Sequence, residues 1–494
     1  MKTGVRVQKM NKSFKVMLYG YGSRPFFYKP MIEIAKEKYK DIEWFCILPT
    51  QEHKELMINC LGEEHVLYLF DEFKRIREDC LDINILENYK GNFYADIAAD
   101  KRHLIKAKAS KQMHYALKTY QVYKEYLMRI KPDCVFFPSI QGMDGTILYS
   151  LADELGIKKI LPAYTRHLNK TFFSETKFQS LPDYARIDKE DQTQAEAFLS
   201  ALRENGFKPI SYTIKSDEKE VVTFYHPRFY KRVKNFAPFI RSLFYEREGS
   251  TLRWKARRFV IKFASIKALI RKTRGKVNKR HKNISSLDQL PDKFIYYPLQ
   301  VTPEASINTP APYYVDQLRA IDAIRLSIPS DFYLIVKEHP AGLSKRPGKF
   351  MKKLLCTAGV IVMDYQCSSI ELIKKAKLTI SVTGTATLEA FLMGKPSVTL
   401  GNNFITEFIG GKCELSELET RIRRKIDSQI SDEEIIQALA KIYNVSENFV
   451  LISPGTKHVA NDTMSVENIR RFLDAFVTHL VRSRMYAINH EEGI

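Results

Sequence analysis

From Lys293 to Gly401 the chain alternates short apolar runs with amphipathic ones and never breaks that order. "KFIYYPLQV", "DFYLIVKEHP", "GVIVMD", "LTISVTG" and "PSVTLG" read as strands. "APYYVDQLRAIDAIRLSI", "KFMKKLLCTA", "SSIELIKKA" and "TATLEAFLMG" lie between them and read as helices. Successive strands joined through helices run parallel, so this block predicts a doubly wound sheet covered on both faces. Residues 15–210 show the same order, with "KVMLYGYG", "IEWFCILPT", "DCVFFPSI" and "IKKILPAYT" as strands and "FFYKPMIEIAKEKY" and "GTILYSLADELG" as helices. Residues 51–130 read as mostly helical, and no repeat of solenoid period occurs. A chain of 494 residues is too long for one ordinary core. The expected fold class is therefore α/β, with two Rossmann-like doubly wound domains.

Between the two blocks the pattern stops. From Arg228 to Lys282 there are 19 Lys/Arg against Glu246 and Glu248, a local charge of +17 out of +21 for the whole chain. Such a concentration is an electrostatic footprint for a polyanion: a membrane surface, a nucleic acid or an anionic polymer. Trp254, Phe259, Ile261, Phe263, Ile266 and Leu269 are interleaved with the basic residues, partly at helical spacing. That pattern fits a surface helix packed on the core or one lying on anionic lipid. The domain plan that follows is a flexible basic tail (1–13), a first Rossmann-like domain (14–215), a basic amphipathic insert (216–290), a second Rossmann-like domain (291–460) and terminal helices (461–494). The start, "MKTGVRVQKMNKSFKVMLYG", lacks the apolar core of a signal peptide, and no run of about 18 apolar residues occurs. The seven cysteines are far apart with no Cys-x-x-Cys pair, which argues against a disulfide framework or a structural zinc site. A reduced, cytoplasmic protein is expected.

The chemistry-bearing residues cluster where strands end. "YLIV" stops on Lys337-Glu338-His339-Pro340, which is either a solvated loop with a proline stop or the carboxyl end of a strand at a ligand crevice. The strand Leu378–Val382 ends in Thr383-Gly384-Thr385-Ala386-Thr387 and a helix follows at once. Free backbone amides, a close-approach glycine and hydroxyl donors at a helix start make a phosphate cradle, although neither a Walker loop nor a dinucleotide fingerprint is present. Glu389 in the first turn fits either a ribose hydroxyl or the helix dipole. Ser368 and Glu371 have the spacing of a capping box, and Ser369 adds a hydroxyl at the same helix start. In the first block Asp144 of "QGMDGT" lies between a strand and the helix Thr146–Leu155, placed to deprotonate an acceptor hydroxyl or to serve as a turn or cap residue. Lys337 and Arg24 are candidates for a leaving phosphate, or surface charges. A second His-Pro, His226-Pro227, lies in the basic insert, and no metal-binding constellation stands out.

"YYPLQVTPEASINTPAPYYVDQL", "LIVKEHPAG" and "SSIELIKKAKLTISVTGTATLEAFLMGKPSVTLG" together resemble the carboxyl-terminal half of bacterial capsule and surface-polysaccharide synthesis proteins. These are similar to the β-Kdo transferases and, more distantly, to bacterial sialyltransferases with His-Pro and Ser/Thr motifs. The resemblance covers roughly 293–401 and is fainter at "SIQGMDGTILYSLADELGIKKI". It implies a GT-B fold, two Rossmann-like domains facing a cleft, with the nucleotide-sugar held mainly by the second. By the same resemblance His339 and Pro340 contact the donor nucleotide or its phosphate, and Thr383, Gly384, Thr385, Ala386 and Thr387 hold the phosphate. Gln300, Pro303 and Glu304 match the strand-end segment facing the cleft, and the motif here is Thr-Gly-Thr-Ala-Thr rather than paired serines.

The expected activity is sugar transfer from a nucleotide donor, CMP-linked favoured, onto a lipid-linked or polymeric surface glycan. Asp144 and His339 are its candidate catalytic residues. No cofactor beyond the donor is required, and the basic insert would hold the enzyme on the anionic inner face of the plasma membrane. Other readings are a CDP-glycerol- or CDP-ribitol-dependent polymerase, a 2-epimerase of UDP-sugars, and a non-catalytic polyanion-binding module. Tyr225, Phe229, Tyr230, Phe236 and Phe239 lie near the charge, but no nucleic-acid motif accompanies them and no nucleic-acid partner is expected.

Overall fold

A computed structural model describes residues 13–50, 53–77, 83–100, 107–168, 170–206, 270, 273–302, 304–451 and 464–491. Residues 216–269 and 271–272 of the basic insert (His226 and Pro227 among them), the tail at 1–12 and Pro303 lie outside the described residues.

The first sheet has strands β1 (Phe14–Tyr19), β2 (Ile42–Leu48), β3 (Val66–Tyr68), β4 (Cys134–Phe136), β5 (Lys158–Tyr164) and β6 (Thr171–Ser174). Their order is β3-β2-β1-β4-β5-β6, all parallel except β6, which runs antiparallel to β5. The second has β7 (Phe294–Pro298), β8 (Tyr333–Lys337), β9 (Val360–Met363), β10 (Leu378–Ser381) and β11 (Ser397–Thr399) in the order β11-β10-β7-β8-β9, all parallel. Each order reverses direction once, between β1 and β4 and between β7 and β10. In open α/β sheets the crevice beyond the carboxyl ends at such a reversal is where ligands bind.

The strands read from the sequence form because both faces of a parallel sheet are covered, so an unbroken apolar run is stable there. All of β4 and β10 is buried. Two strands were not read. β3 sits in the stretch 51–130 taken as mostly helical, and its three residues are too few to show a period. β6 is a four-residue antiparallel edge with no helix before it to announce a parallel crossover.

The two halves are joined by packing as well as by chain. Helix Lys189–Asn205 lies against helix Asp432–Val445, and both share a core with Ala163 and Phe172 of the first sheet. Thr171 and Glu447 exchange backbone hydrogen bonds of 3.0 and 2.8 Å. Helix Val466–Glu491, at the end of the chain, returns to the first sheet. There Phe472 meets the rings of Phe27, Phe136, Phe173 and Phe449.

Candidate functional site

The reversal between β7 and β10 is bridged by one side chain. Gln300, two residues past β7, donates from Nε2 to Thr383 Oγ1 at 2.9 Å and accepts from the Thr383 amide at 3.3 Å. Thr383 Oγ1 in turn donates to the Ser306 carbonyl at 2.6 Å. Gln300 is itself fixed by Gln317, whose side chain takes its backbone N–H at 2.7 Å and gives to its carbonyl at 2.6 Å. The Thr383 hydroxyl, expected to face a phosphate, is thus engaged within the protein.

The rest of that turn is partly closed in the same way. The Gly384 amide donates to Ser381 Oγ at 2.8 Å, and the buried Thr387 hydroxyl donates to the Gly384 carbonyl at 3.1 Å. A Cβ at Gly384 would lie 2.6 Å from Ser381 Oγ, so any other residue there displaces that hydroxyl. Helix Ala386–Leu392 begins at Thr385 with no side-chain cap, and Ala386 and Thr387 of its first turn are buried. Thr385, half-buried, is what the turn offers a ligand.

The strand that stops on charges has an answer in burial. Lys337, 7 % exposed, donates from Nζ to the carbonyls of Cys367 at 2.8 Å and Tyr365 at 3.4 Å. Burial pulls its pKa down to about 8, against the opposing influence of Cys367, Glu389 and Asp364. Glu338, 2 % exposed, is paired with Arg346 and accepts the His339 amide at 2.8 Å. Neither is part of a solvated loop. Arg24, the other candidate for a leaving phosphate, donates to the Leu451 carbonyl at 3.2 Å.

His339 turns outward. Its Nδ1 accepts the Ala341 amide at 3.1 Å and caps the short turn Pro340–Gly342. Surrounding protein and then the cations Lys337, Lys345 and Arg346 lower its pKa to about 4. The exposed ring is kept neutral by these cations and by the hydrogen bond it accepts. With Nδ1 accepting, the single proton sits on Nε2, which becomes a hydrogen-bond donor. Ser369, first in helix Ser369–Lys375, accepts from Tyr296 at 3.2 Å; burial and then the nearby Glu389 charge push the Tyr296 phenol above its usual pKa. Ser368 caps this helix through the Glu371 amide, but Glu371 pairs with Lys374 rather than closing the box. Glu304 is exposed and accepts from Ser306 at 3.1 Å.

Asp144 belongs to the other reversal. Helix Gly142–Glu154 starts four residues earlier than read, with Gln141 at the cap position, so Asp144 lies in the first turn rather than in a loop. It is 7 % exposed and its Oδ2 accepts from Tyr19 at the end of β1 at 2.7 Å. Burial and then the Asp144 charge hold the Tyr19 phenol well above its usual pKa, so it remains a donor. The structure therefore gathers Gln300, Lys337, His339, Pro340, Ser369, Thr383–Thr387 and Glu389 on the rim of the second sheet and sets Asp144 on the rim of the first. The two rims touch where Thr309 Oγ1 donates to the Ile140 carbonyl at 3.1 Å. No cluster of His, Cys, Asp or Glu able to hold a metal occurs among the described residues. Arg346 was missed from sequence. Its partner Glu338 stands eight positions before it, a spacing that signals no local pair.

Two Rossmann-like sheets with bridged reversals define a GT-B-like architecture. The family described as "Capsule polysaccharide biosynthesis protein" matches residues 249–449, so over that stretch the chain is similar to capsule polysaccharide biosynthesis proteins. No curated protein matches significantly. Among solved structures, the β-Kdo 2,7 transferase of Thermosulfurimonas dismutans KpsC matches at 15 % identity and a TM-score of 0.31, over 87 % of this chain and 99 % of its own. The β-Kdo 2,4 transferase of the same KpsC matches at 10 % and 0.31, over 63 % and 87 %. A UDP-GlcNAc 2-epimerase from Methanocaldococcus jannaschii matches at 12 % and 0.25, over 87 % and 98 %. At these values the structural likenesses carry no functional weight.

Proposed function

We propose that the protein is a glycosyltransferase of capsule polysaccharide synthesis that takes a nucleotide-sugar, CMP-linked favoured, at the β7/β10 reversal. The observation that supports it is the coincidence of the family match at 249–449 with accessible donors on one rim: His339 Nε2 and the Thr385 hydroxyl. These are hydrogen-bond donors where a leaving phosphate gathers charge, the form of stabilisation that dominates such transfers. Lys337 holds the loop before Ser369 and adds a buried positive charge behind the site. Asp144 stands on the acceptor side, with Tyr19 orienting its carboxylate toward the acceptor hydroxyl it deprotonates. The acceptor is a lipid-linked or polymeric glycan, and the basic insert holds the enzyme at an anionic membrane surface. No described helix is long and apolar enough to cross a membrane.

The test is a binding and turnover screen of CMP-, CDP-, UDP- and GDP-linked donors with purified protein. Binding and slow hydrolysis of a CMP-sugar are expected. Turnover of CDP-glycerol or CDP-ribitol alone would replace sugar transfer by polyol-phosphate transfer, and binding of no donor would overturn the reading.

A further inference from the structure

The buried pair Glu338–Arg346 has no role in the reading above, yet it reaches the loops that the donor site uses. Arg346 Nε meets Glu338 Oε2 at 2.5 Å, with the side chains 5 % and 3 % exposed. Arg346 also donates from Nη1 to Thr302 Oγ1 at 3.2 Å and from Nη2 to the Gln300 carbonyl. Its guanidinium lies 4.8 Å from the Phe350 ring centre. The other Glu338 oxygen takes the His339 amide. A Cβ at Gly342 would collide with that oxygen, so the turn after His339 is shaped around the carboxylate.

Burying two charges costs several kcal/mol per ion, and an apolar pair of similar volume often does as well or better for stability. What an apolar pair cannot do is fix a rigid fork on several partners at once. Here the fork pins the ends of β7 and β8 directly. Through Gln300, whose side chain clasps Thr383, it also reaches the end of β10. We infer that Arg346, held by Glu338, is a positioning residue of the donor site. It sets His339 and the Thr383 turn relative to each other so that one nucleotide-linked phosphate meets both. This rests on the donor-site reading, and Arg346 itself does not touch the ligand.

Arg346→Lys keeps the charge and loses the fork; Glu338→Gln keeps the shape and loses the charge. In full-length protein, Arg346→Lys lowers kcat/KM for the nucleotide-sugar at least tenfold while KM for the acceptor stays within twofold. Glu338→Gln shows the same pattern at smaller size, and the double variant loses no more than the worse single, because the pair acts as a unit. Hydrogen exchange speeds at least tenfold in peptides covering 299–302, 338–343 and 382–385, and stays unchanged in β5 of the first sheet. Unchanged donor kcat/KM in a folded Arg346→Lys protein would overturn the inference, and so would equal losses toward donor and acceptor. The exchange measurement needs no donor. If no donor is turned over, the functional reading falls, and an unaltered 382–385 peptide would still overturn the positioning role separately.

Discussion

A neutral His339 with its proton on Nε2 makes a definite demand on the pH profile. Its pKa of about 4 leaves the ring uncharged from about pH 5.5 upward, so donor turnover should show no histidine inflection between pH 5.5 and 8. His339→Ala should cut turnover at least tenfold, about 1.4 kcal/mol of transition-state stabilisation, with little change in the denaturation midpoint. Asp144→Asn keeps the shape and the contact with Tyr19 but cannot take a proton. Sugar transfer should fall by about two orders of magnitude while donor binding persists, and full activity would remove Asp144 as the base. Lys337 gives a third residue-level outcome, in stability. Its folded pKa of about 8 lies below the 10.5 of the unfolded chain, so between those values the unfolded state binds more protons. Stability therefore rises with pH from about 8 to 10.5, by on the order of 3 kcal/mol, relative to Lys337→Met. Denaturation of both proteins at pH 7.5 and 10 checks the sign.

At the scale of elements, the turns at the two reversals carry the site, and glycine placement limits them. Gly384→Ala forces Ser381 Oγ away and should cost about 1–3 kcal/mol together with donor affinity; adding Ser381→Ala should restore part of both. Strands β7 to β11 were legible because each is a short, largely buried run bounded by helix signals, and the rim residues were legible because they follow those strands directly. Which rim residues face a ligand was not legible. Thr383 and Thr387 look alike in sequence, yet both hydroxyls are held internally while Thr385 is not. The same limit hid Lys337 and Glu338, whose burial depends on carbonyls at 365 and 367 and on Arg346, partners fixed only by the fold.

At the scale of the whole molecule, charge and closure are separate matters. The excess of Lys and Arg between Arg228 and Lys282 should bind the protein to anionic vesicles at low salt, each charge near the surface contributing about 1 kcal/mol. Replacing Arg253, Lys255, Arg257, Arg258 and Lys262 by glutamine should release it without affecting donor binding. Equal sedimentation with neutral vesicles would rule out an electrostatic attachment. Helix Val466–Glu491 belongs to closure: Phe472 is 1 % exposed among rings of the first sheet, and Phe472→Ala should cost about 3–5 kcal/mol. That helix also imposes an order on biosynthesis. The first sheet is roofed by residues made well after it, so Phe27, Phe136 and Phe173 stay uncovered until that helix has left the ribosome. A nascent chain stalled before residue 464 should therefore bind a holdase chaperone through its amino-terminal half, and one extended past Leu480 should let go.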